Sequence, residues 1–499
     1  MHRLSRIIYF LPLFLILIST RSIVAAPVSN WQEKVESRVL EDASSDQTEY
    51  LVFLNHQADL DMAEQLESKQ EKGEFVVKRL KAAAEKTQKP ILDFLTAEGV
   101  EHRSFWIANL IWVQSDYKVL ETIAKRNDTS KIYSDQKFAV EFPETDPDPG
   151  ISNRSSSPSG IVWNIAKVNA PSVWEAGITG SGVVIGGQDT GYDWDHPALK
   201  EKYRGWNGTT VDHNYNWHDA IHTGGGICGP DASEPCDDFW HGTHTMGTMV
   251  GDDGAGSQIG VAPGAKWIGC RNMDQGDGKA STYIECFQWF VQPTDLNNQN
   301  GNTALAPHVI NNSWYCPPEE ECNWDSLQEV VNNTRAAGIV VVTSAGNEGY
   351  NGCGSVRFPP AIYESSFSIG ATDQNDGIAS FSSRGPSGYT NLLKPNVSAP
   401  GVGIYSSTLA GAYRTASGTS MASPHVSGLV ALLISARPEL AGQVEQIETL
   451  IEQNAEPRTT SENCGGISGE VIPNNTYGWG RIDAFETIID NIYIPFTTN

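Results

Sequence analysis

Three side chains in the second half of the chain could together cleave an acyl bond. Asp189 ends the run "GVVIGGQD", His241 opens "HGTHTMGTMVG", and Ser420 lies in "SGTSMASPHVSG". A serine hydroxyl becomes a good nucleophile when a histidine takes its proton, and that histidine needs a carboxylate to fix its tautomer. Taken singly, the three could be a turn aspartate, a capping histidine and an N-cap serine. Their joint occurrence in glycine-rich turns favours a catalytic triad.

The serine lies directly before "LVALLISA", a good apolar helix. Serine, glycine and proline are poor residues inside a helix, although serine suits its N-terminus and proline its first turn. Ser420 is therefore either a plain N-cap or a nucleophile at a helix start, where free N–H groups and the helix dipole favour a developing oxyanion. Four small residues would let this helix pack close to the sheet: Ala422, Ser423, Ser427 and Gly428.

The order of the three residues discriminates between hydrolase folds. "GTSMA" is superficially similar to the G-x-S-x-G turn of α/β-hydrolases, but that fold needs its acid and histidine after the serine. The only histidine after Ser420 is His425, which follows on the same helix and is badly placed to act as its base. The observed order of Asp189, His241 and Ser420 is the order found in subtilisins.

From about Ile161 to its end, the chain resembles the subtilisin-like serine proteases (subtilases), and it is most similar to their bacillopeptidase F branch. The motifs that carry the resemblance are "DTGYDWDHPALKEKYRGWNG", "HGTHTMGTMVG", "IGVAPGAKWI", "NNSW", "SAGNEG", "SFSSRGPS", "KPNVSAPG", "SGTSMASPHVSG" and "YGWGRIDA". The related sedolisins use a carboxylate where this chain has His241, so an acid-active carboxyl peptidase is disfavoured.

The resemblance implies a role for each motif residue. Asp189 would orient His241, His241 would act as general base and then acid, and Ser420 would attack the carbonyl carbon. Asn347 of "SAGNEG" would donate its side-chain amide to the oxyanion, together with the backbone N–H of Ser420. The implied activity is that of a serine endopeptidase, made as a zymogen, that hydrolyses proteins through an acyl-enzyme. The alternative is a catalytically silent secreted binding protein with the same fold.

Two positions depart from the family pattern around the substrate cleft. After Ser313 the family often has an apolar residue and glycines, which form an edge that pairs with an extended substrate. This chain has Trp314, Tyr315 and Cys316 there, which predicts a narrower cleft on that side. Aligning "GNEGYNGCGSVRFPP" with the family puts Arg357 at the floor of the pocket for the residue before the scissile bond. An inward guanidinium would select Glu or Asp there. The alternative is that Cys353 re-routes the loop and turns Arg357 to solvent.

The family resemblance implies no required cofactor, and structural calcium stays open because "GDDGAGSQIG" does not reproduce the familiar calcium-binding loop. An insertion from Asp212 to Trp240 could hold either a metal or a disulfide. It contains His213, His218, His222, Cys228 and Cys236. The disulfide is favoured because thiols are oxidised in an exported chain.

Two kinds of element must position these residues. From about Ile161, short β-branched runs alternate with helical stretches, which predicts a doubly wound, mostly parallel α/β sheet with its site at the carboxyl ends of the strands. Residues 49–140 instead show a β-α-β-β-α-β order typical of a small α+β, ferredoxin-like domain. The segment "PETDPDPGISNRSSSPSG" between them is typical of an exposed linker.

These patterns predict three regions: a signal peptide at 1–26, an inhibitory propeptide at 27–150 and a catalytic domain at 151–499. The basic start "MHRLSR" and the apolar run "IIYFLPLFLILI" indicate export. Cleavage of the zymogen is expected between about Glu141 and Gly160. The expected product is a secreted, monomeric enzyme that leaves the membrane after signal removal and binds protein substrates and its own propeptide.

Composition bounds the partners. The chain has 499 residues and a net charge of −26, which argues against a nucleic-acid partner. Its eight cysteines suggest disulfides, and proximity favours the pairs Cys228–Cys236, Cys270–Cys286, Cys316–Cys322 and Cys353–Cys464. Possible glycosylation sequons begin at Asn127, Asn153, Asn207, Asn311, Asn332, Asn396 and Asn474. Asn311 and Asn396 lie in expected core and are not expected to carry glycans.

Overall fold

The computed structural model describes residues 31–139, 160–316 and 322–493. The predicted signal peptide, the sequon at Asn153 and the predicted cleavage region up to residue 159 lie outside the described residues. Beyond residue 159 the chain forms one α/β unit, and before residue 140 it forms a smaller α+β unit.

The smaller unit is an antiparallel sheet of four strands in the order β2-β3-β1-β4. Its elements are α1 (Ser37–Ser45), β1 (Thr48–Leu54), α2 (Lys69–Glu98), β2 (Glu101–Phe105), β3 (Leu110–Ser115), α3 (Tyr117–Ala124) and β4 (Thr129–Ser134). The long helix α2 begins at a capping box of Ser68 and Glu71 and ends at Gly99, whose φ of 69° suits glycine. The predicted β-α-β-β-α-β order is present, preceded by α1.

The larger unit contains the remaining elements. Its strands and the short strand before it are β5 (Phe138–Ala139), β6 (Gly160–Ile161), β7 (Val184–Asp189), β8 (Trp217–Asp219), β9 (Ser257–Gln258), β10 (Lys266–Arg271), β11 (Met273–Asp274), β12 (Asp277–Gly278), β13 (Val309–Asn312), β14 (Val340–Ser344), β15 (Phe367–Thr372), β16 (Val397–Pro400), β17 (Ile404–Ser407) and β18 (Tyr413–Ala416). Its helices are α4 (Trp163–Lys167), α5 (Ala170–Glu175), α6 (His241–Val250), α7 (Ala280–Val291), α8 (Gln328–Ala336), α9 (Thr419–Ala436), α10 (Val444–Gln453) and α11 (Ala484–Tyr493).

Seven strands form the central sheet in the order β16-β15-β14-β13-β7-β10-β8, and all of its pairs are parallel. Five of these strands, β7, β10, β13, β14 and β15, coincide with the short runs "GVVIGGQD", "KWIGCRNM", "PHVINNSW", "IVVVTSAGN" and "SFSIGATD", whose pattern predicts strands. Because both faces are covered by helices, these strands are buried along almost their whole length. The doubly wound parallel sheet is therefore confirmed.

Helix α9 is the central helix of the larger unit. It contacts α6 and five strands of the sheet, β7, β13, β14, β15 and β16, and 89% of it is buried. By length and composition alone it is the one helix among the described residues that could cross a membrane. At Gly428 an added Cβ would lie 2.5 Å from the Cβ of Val261. This close approach explains why the helix needs small residues.

The two units share one hydrophobic cluster. The sheet of the smaller unit packs Phe105 and Trp112 against α7 and α8 of the larger unit, where Phe287 and Val330 belong to the same buried cluster. Helix α2 also extends onto the larger unit, because Lys72 donates to the carbonyl of Gly442 at 2.9 Å. The smaller unit therefore lies on the helices that cover one face of the parallel sheet.

All four predicted disulfides are present, at Cys228–Cys236, Cys270–Cys286, Cys316–Cys322 and Cys353–Cys464. Of the sequon asparagines within the described ranges, Asn311 and Asn474 are buried. The second of these was predicted to be open to glycosylation, but its side-chain amide donates to the carbonyls of Arg458 and Val471.

Candidate active site

The predicted acid and base of the triad are hydrogen-bonded at the carboxyl edge of the sheet. Asp189 is the last residue of β7, and His241 is the first residue of α6. His241 Nδ1–H donates to Asp189 Oδ1 at 2.7 Å, and each side chain is 1% exposed. With its proton fixed on Nδ1, the imidazole can accept another proton only at Nε2.

The turn before His241 is held by a carboxylate that sequence analysis missed. Asp237 Oδ1 accepts the N–H groups of Phe239 and Trp240 at 3.0 and 2.8 Å, and its Oδ2 accepts the hydroxyl of Thr243 at 2.6 Å. Trp240 has a φ of 117°, a backbone conformation that residues other than glycine rarely adopt. Asp237 thus stabilises a strained turn that sets the direction of the His241 side chain. Its position, four residues before the histidine, was the available signal.

Ser420 is the second residue of α9 and is 4% exposed. Its neighbour Ser313 touches it twice, because Ser420 Oγ donates to the Ser313 carbonyl at 3.0 Å and Ser313 Oγ donates to the Ser420 carbonyl at 2.8 Å. Pro424 explains the second contact. It has no N–H to give to the carbonyl four residues earlier, so the Ser313 hydroxyl supplies that hydrogen bond.

Asn347 follows β14 and contacts the residue before Ser420. Its Oδ1 accepts both the N–H and the hydroxyl of Thr419, each at 2.9 Å. These two donors fix which end of the amide is the oxygen. The Nδ2 group is therefore presented away from Thr419, as an oxyanion donor would need to be, on a side chain that is only partly buried.

His425 is excluded as the base for Ser420. Its Nε2 is hydrogen-bonded to the Asn164 amide at 2.9 Å, and its Nδ1 lies 2.9 Å from the Met421 carbonyl inside α9. Burial lowers the pKa of His425 to about 4. The prediction that this histidine is badly placed agrees with these contacts.

Comparison with known families decides where this arrangement belongs. The family model described as the subtilase family, peptidase S8, matches residues 180–480, a stretch that contains Asp189, His241, Asn347 and Ser420. The chain belongs to the subtilase family.

Curated relatives agree with this assignment. Bacillopeptidase F of Bacillus subtilis strain 168 is 36% identical over 433 residues, which cover 84% of this chain and 29% of that protein. Subtilisin E of the same strain is 32% identical over 280 residues, covering 56% of this chain and 62% of that protein. Subtilisin Savinase of Lederbergia lenta is 29% identical over 325 residues, which cover 65% of this chain and 97% of that protein. The chain thus spans less than two thirds of the length of the first two relatives.

A hairpin that was not predicted from the sequence lies beside the Asp189–His241 pair. Strands β11 and β12 follow directly after β10, and their two-residue turn has positive φ at Gln275 and Gly276. The N–H of Asn272, just before β11, donates to the Asp189 carbonyl at 3.0 Å. The hairpin therefore stands next to the acid of the predicted triad. The signal was the turn sequence "QGDG" directly after a strand.

The outer edge of this hairpin is paired with a segment from the N-terminal half. Strand β5 runs antiparallel to β12, with Ala139 opposite Asp277 and Phe138 opposite Gly278. An extended segment that adds to an exposed strand edge is a common mode of peptide binding. Residues 138–139 therefore occupy the edge on which an extended peptide could lie.

The three predicted substrate-binding residues lie on two neighbouring segments, Ser313 and Trp314 after β13 and Arg357 on the second. Ser313 touches Ser420 as described. The Trp314 ring, in contrast, is buried, stacks on Tyr283 at 3.8 Å between ring centroids and donates from Nε1 to the Gln188 carbonyl at 3.1 Å. The expectation that this side chain narrows the cleft is corrected, because the ring points into the core.

Arg357 lies on a segment that runs beside residues 313–316. The Cys316 N–H donates to the Pro359 carbonyl at 2.8 Å, and the rings of Tyr315 and Phe358 stack with centroids 5.4 Å apart. The Arg357 side chain is half-buried. No ion pair or hydrogen bond of its guanidinium is formed within residues 31–139, 160–316 and 322–493. Its role in substrate selection stays a prediction.

The insertion from Asp212 to Trp240 is closed by the Cys228–Cys236 disulfide, so these thiols are not metal ligands. In the part of the chain that the structure describes, no group of three or more His, Cys, Asp or Glu side chains is arranged to hold a metal ion. The insertion is anchored by buried Arg271, which forms two hydrogen bonds with the Asp219 carboxylate at 2.9 and 2.7 Å. Sequence analysis missed this anchor as well.

Two histidines of the insertion instead contact one carboxylate at the junction of the two units. His218 Nε2 and His222 Nε2 lie 2.9 and 3.0 Å from the Glu285 carboxylate on α7. Arg103 of the smaller unit pairs with the same carboxylate at 2.9 Å. Burial would raise the pKa of Glu285, but hydrogen bonds from both histidines outweigh it and hold that pKa well below its usual range. We call these four residues the Glu285 cluster.

Proposed function

We propose that this chain is a secreted serine endopeptidase that hydrolyses peptide bonds in proteins. The observation that carries the proposal is the hydrogen bond of 2.7 Å between His241 and Asp189, both 1% exposed, at the sheet edge where the Ser420 helix begins. An imidazole held by a carboxylate at Nδ1, together with a serine at a helix N-terminus, supplies the groups that acyl transfer requires.

The proposed reaction follows from these groups. His241 Nε2 takes the proton of Ser420 Oγ as that oxygen attacks the substrate carbonyl carbon, and Asp189 stabilises the imidazolium. The new oxyanion receives hydrogen bonds from Asn347 Nδ2 and the Ser420 N–H. His241 then protonates the leaving amine, and the acyl-enzyme is hydrolysed by water that the same histidine activates. The hydrogen bond from Ser420 Oγ to the Ser313 carbonyl must break as substrate binds.

The chain is further proposed to be a zymogen with a signal peptide at 1–26, an inhibitory propeptide at 27–150 and a catalytic domain at 151–499. Two observations support this division. The N-terminal unit packs against α7 and α8, and its last described strand lies along the hairpin edge beside the cleft. Cleavage between about Glu141 and Gly160 would separate the units, and the separated propeptide would act as an inhibitor by occupying that edge.

The proposed enzyme needs no cofactor, and a structural calcium ion remains optional. Four disulfides fit an oxidising, extracellular location. Protein or peptide substrates and its own propeptide are the proposed partners, nucleic acids are not, and the mature chain is proposed to be a monomer without a membrane anchor. A catalytically silent binding protein is the competing proposal, and it is disfavoured because all four polar groups needed for acyl transfer are present.

A fluorophosphonate probe separates the two proposals, because only an activated serine is phosphonylated. We expect the purified wild type to be labelled and the Ser420→Ala variant to lose labelling while keeping its fold. Ser435→Ala, at the far end of the same helix, is the matched control and should be labelled like the wild type. Equal labelling of wild type and Ser420→Ala, or none in either after processing, would contradict the assignment.

A further inference from the structure

The hairpin edge carries two carboxylates that hold a lysine of the N-terminal half. Lys137 Nζ lies 2.8 Å from Asp274 Oδ2 and 3.5 Å from Asp277 Oδ2. Lys137 directly precedes strand β5, which pairs with β12 through Phe138 and Ala139. The position of its ammonium is thus set by the register of an added strand. The two carboxylates are therefore occupied by a cation that arrives on an extended peptide.

The carboxylate of Asp274 is held by groups of the larger unit as well as by Lys137. Its side chain is only 9% exposed, and a hydrogen bond from the Gly225 N–H of the insertion also reaches it. The neighbouring residue is fixed as well, because the Gln275 N–H donates to Asp238 Oδ1 at 2.9 Å. Arg271 ties Asp238 and the Gly225 carbonyl to the same region at 3.3 and 3.2 Å. A preorganised, partly desolvated carboxylate binds a cation more strongly than a free surface one.

We propose that Asp274 and Asp277 form a subsite for a Lys or Arg side chain of the substrate. It would select the residue that directly precedes the dipeptide paired with β12. The inference rests on the proposed endopeptidase function, since it requires that a substrate replaces β5 on the hairpin edge. Once the N-terminal half has left, Asp274 and Asp277 lose Lys137, and a basic side chain at the same place restores the ion pair.

The subsite can be tested with internally quenched peptides that carry the chain's own sequence from 134 to 149, "SDQKFAVEFPETDPDP". Lys137 is kept or replaced by Arg, Gln or Glu, and kcat/KM is measured with the processed enzyme. We expect Lys and Arg to exceed Gln by about fivefold and Glu by more, because a partly exposed ion pair contributes modestly. The advantage should shrink at high ionic strength. Mass spectrometry establishes that the same bond is cut in every peptide.

Removing the two carboxylates should abolish this selectivity and leave the chemistry intact. In the Asp274→Asn, Asp277→Asn double variant, we expect the four peptides to be cleaved at rates within about twofold of one another, and the Gln peptide to be cleaved as by the wild type. Glu445→Gln, which removes one exposed carboxylate on α10, is the control and should keep the wild-type order.

Two outcomes would overturn the subsite. Equal cleavage of the Lys and Gln peptides by the wild type, or an unchanged Lys preference in the double variant, would reject it while leaving the endopeptidase function standing. Absence of cleavage of all peptides together with absence of fluorophosphonate labelling would reject the proposed function itself, and the subsite with it.

Discussion

The Asp189–His241 pair and the Glu285 cluster use the same side-chain chemistry for different ends. In the first, one carboxylate faces one imidazole, and both are 1% exposed. In the second, Glu285 is shared by His218, His222 and Arg103, and its side chain is 12% exposed. The carboxylate at Nδ1 leaves Nε2 as the nitrogen that exchanges a proton in the proposed reaction. In the Glu285 cluster, three side chains bind the oxygens of one carboxylate. This arrangement is suited to stabilising the contact between the two units.

The titration behaviour of the second site follows from this sharing. Burial would lower the pKa of His222, but the hydrogen bond and charge of Glu285 outweigh it and raise that pKa above 6.5. The pKa of Glu285 is in turn held below 4.5. The difference between the sites therefore lies in whether protonation changes occur in a reaction cycle or only when the interface forms and breaks.

The largest expected effect is on kcat and comes from changing the carboxylate of the Asp189–His241 pair. Asp189→Asn keeps the shape of the side chain but can no longer hold the proton on Nδ1 and stabilise the imidazolium, so kcat should fall by about 10⁴. The corresponding change in the second site, Glu285→Gln, should leave kcat of the processed enzyme within about twofold, because no reacting atom contacts that residue. Kinetics on a quenched peptide measures both.

A smaller effect is expected on the stability of the interface between the two units. It is measured in unprocessed protein that carries Ser420→Ala, so that self-cleavage does not interfere. In that background Glu285→Gln should lower the free energy of unfolding by about 2 kcal/mol, since it leaves Arg103 partly buried without its partner. Glu121→Gln, which breaks an exposed pair with Lys125 on α3, is the control and should cost less than about 0.5 kcal/mol.

The sign of the pH dependence distinguishes the cluster from a generic ion pair. A raised His222 pKa stabilises the folded state below 6.5 and loses this contribution as pH rises through the folded-state value. A lowered Glu285 pKa stabilises the folded state above 4.5 and loses this contribution as pH falls through its folded-state value. The stability difference between the background and Glu285→Gln should thus be largest between these pH values and shrink toward about pH 9. A difference that grows with rising pH would contradict this account.

The residues of the proposed triad could be chosen from the sequence because each of them lies in a local motif at the end of a strand or the start of a helix. Asp189 ends a β-branched strand, and Ser420 begins an apolar helix with a proline in its first turns, so type and position agree. Asp237 was missed although its partners Phe239 and Trp240 are local. Arg271 could not be found from a local motif, because its role depends on Asp219, which is 52 residues away in the chain. The Trp314 ring was misjudged for a related reason. Its partner, Tyr283, lies on a helix about thirty residues earlier.

The same limit applies to the two units. Local patterns predicted the four strands and the two helices between them in the smaller unit, because each has its own hydrophobic period. The position of the smaller unit on the larger one could not be derived from hydrophobic periodicity, because it depends on which faces of α7 and α8 the rest of the larger unit leaves uncovered. The Glu285 cluster lies at that junction and combines residues from β2, the insertion and α7. No local pattern connects the three.

Arg357 offers the smallest and sharpest test, because it is a charged group for which the described residues supply no ionic partner. A half-buried guanidinium without a carboxylate can pair with one from the substrate in two parallel hydrogen bonds. We therefore expect the processed enzyme to cleave after Glu about five times faster than after Gln, as measured by kcat/KM on matched peptides. Arg357→Gly should remove this advantage and favour Phe, because a small residue leaves room for a large apolar side chain.

If the wild type already prefers Phe and the substitution leaves the order of the peptides unchanged, the Arg357 side chain faces solvent and the pocket does not select acidic residues. Because Arg357 lies on a segment beside Tyr315 and not on the hairpin, this result would be independent of the test of Asp274 and Asp277.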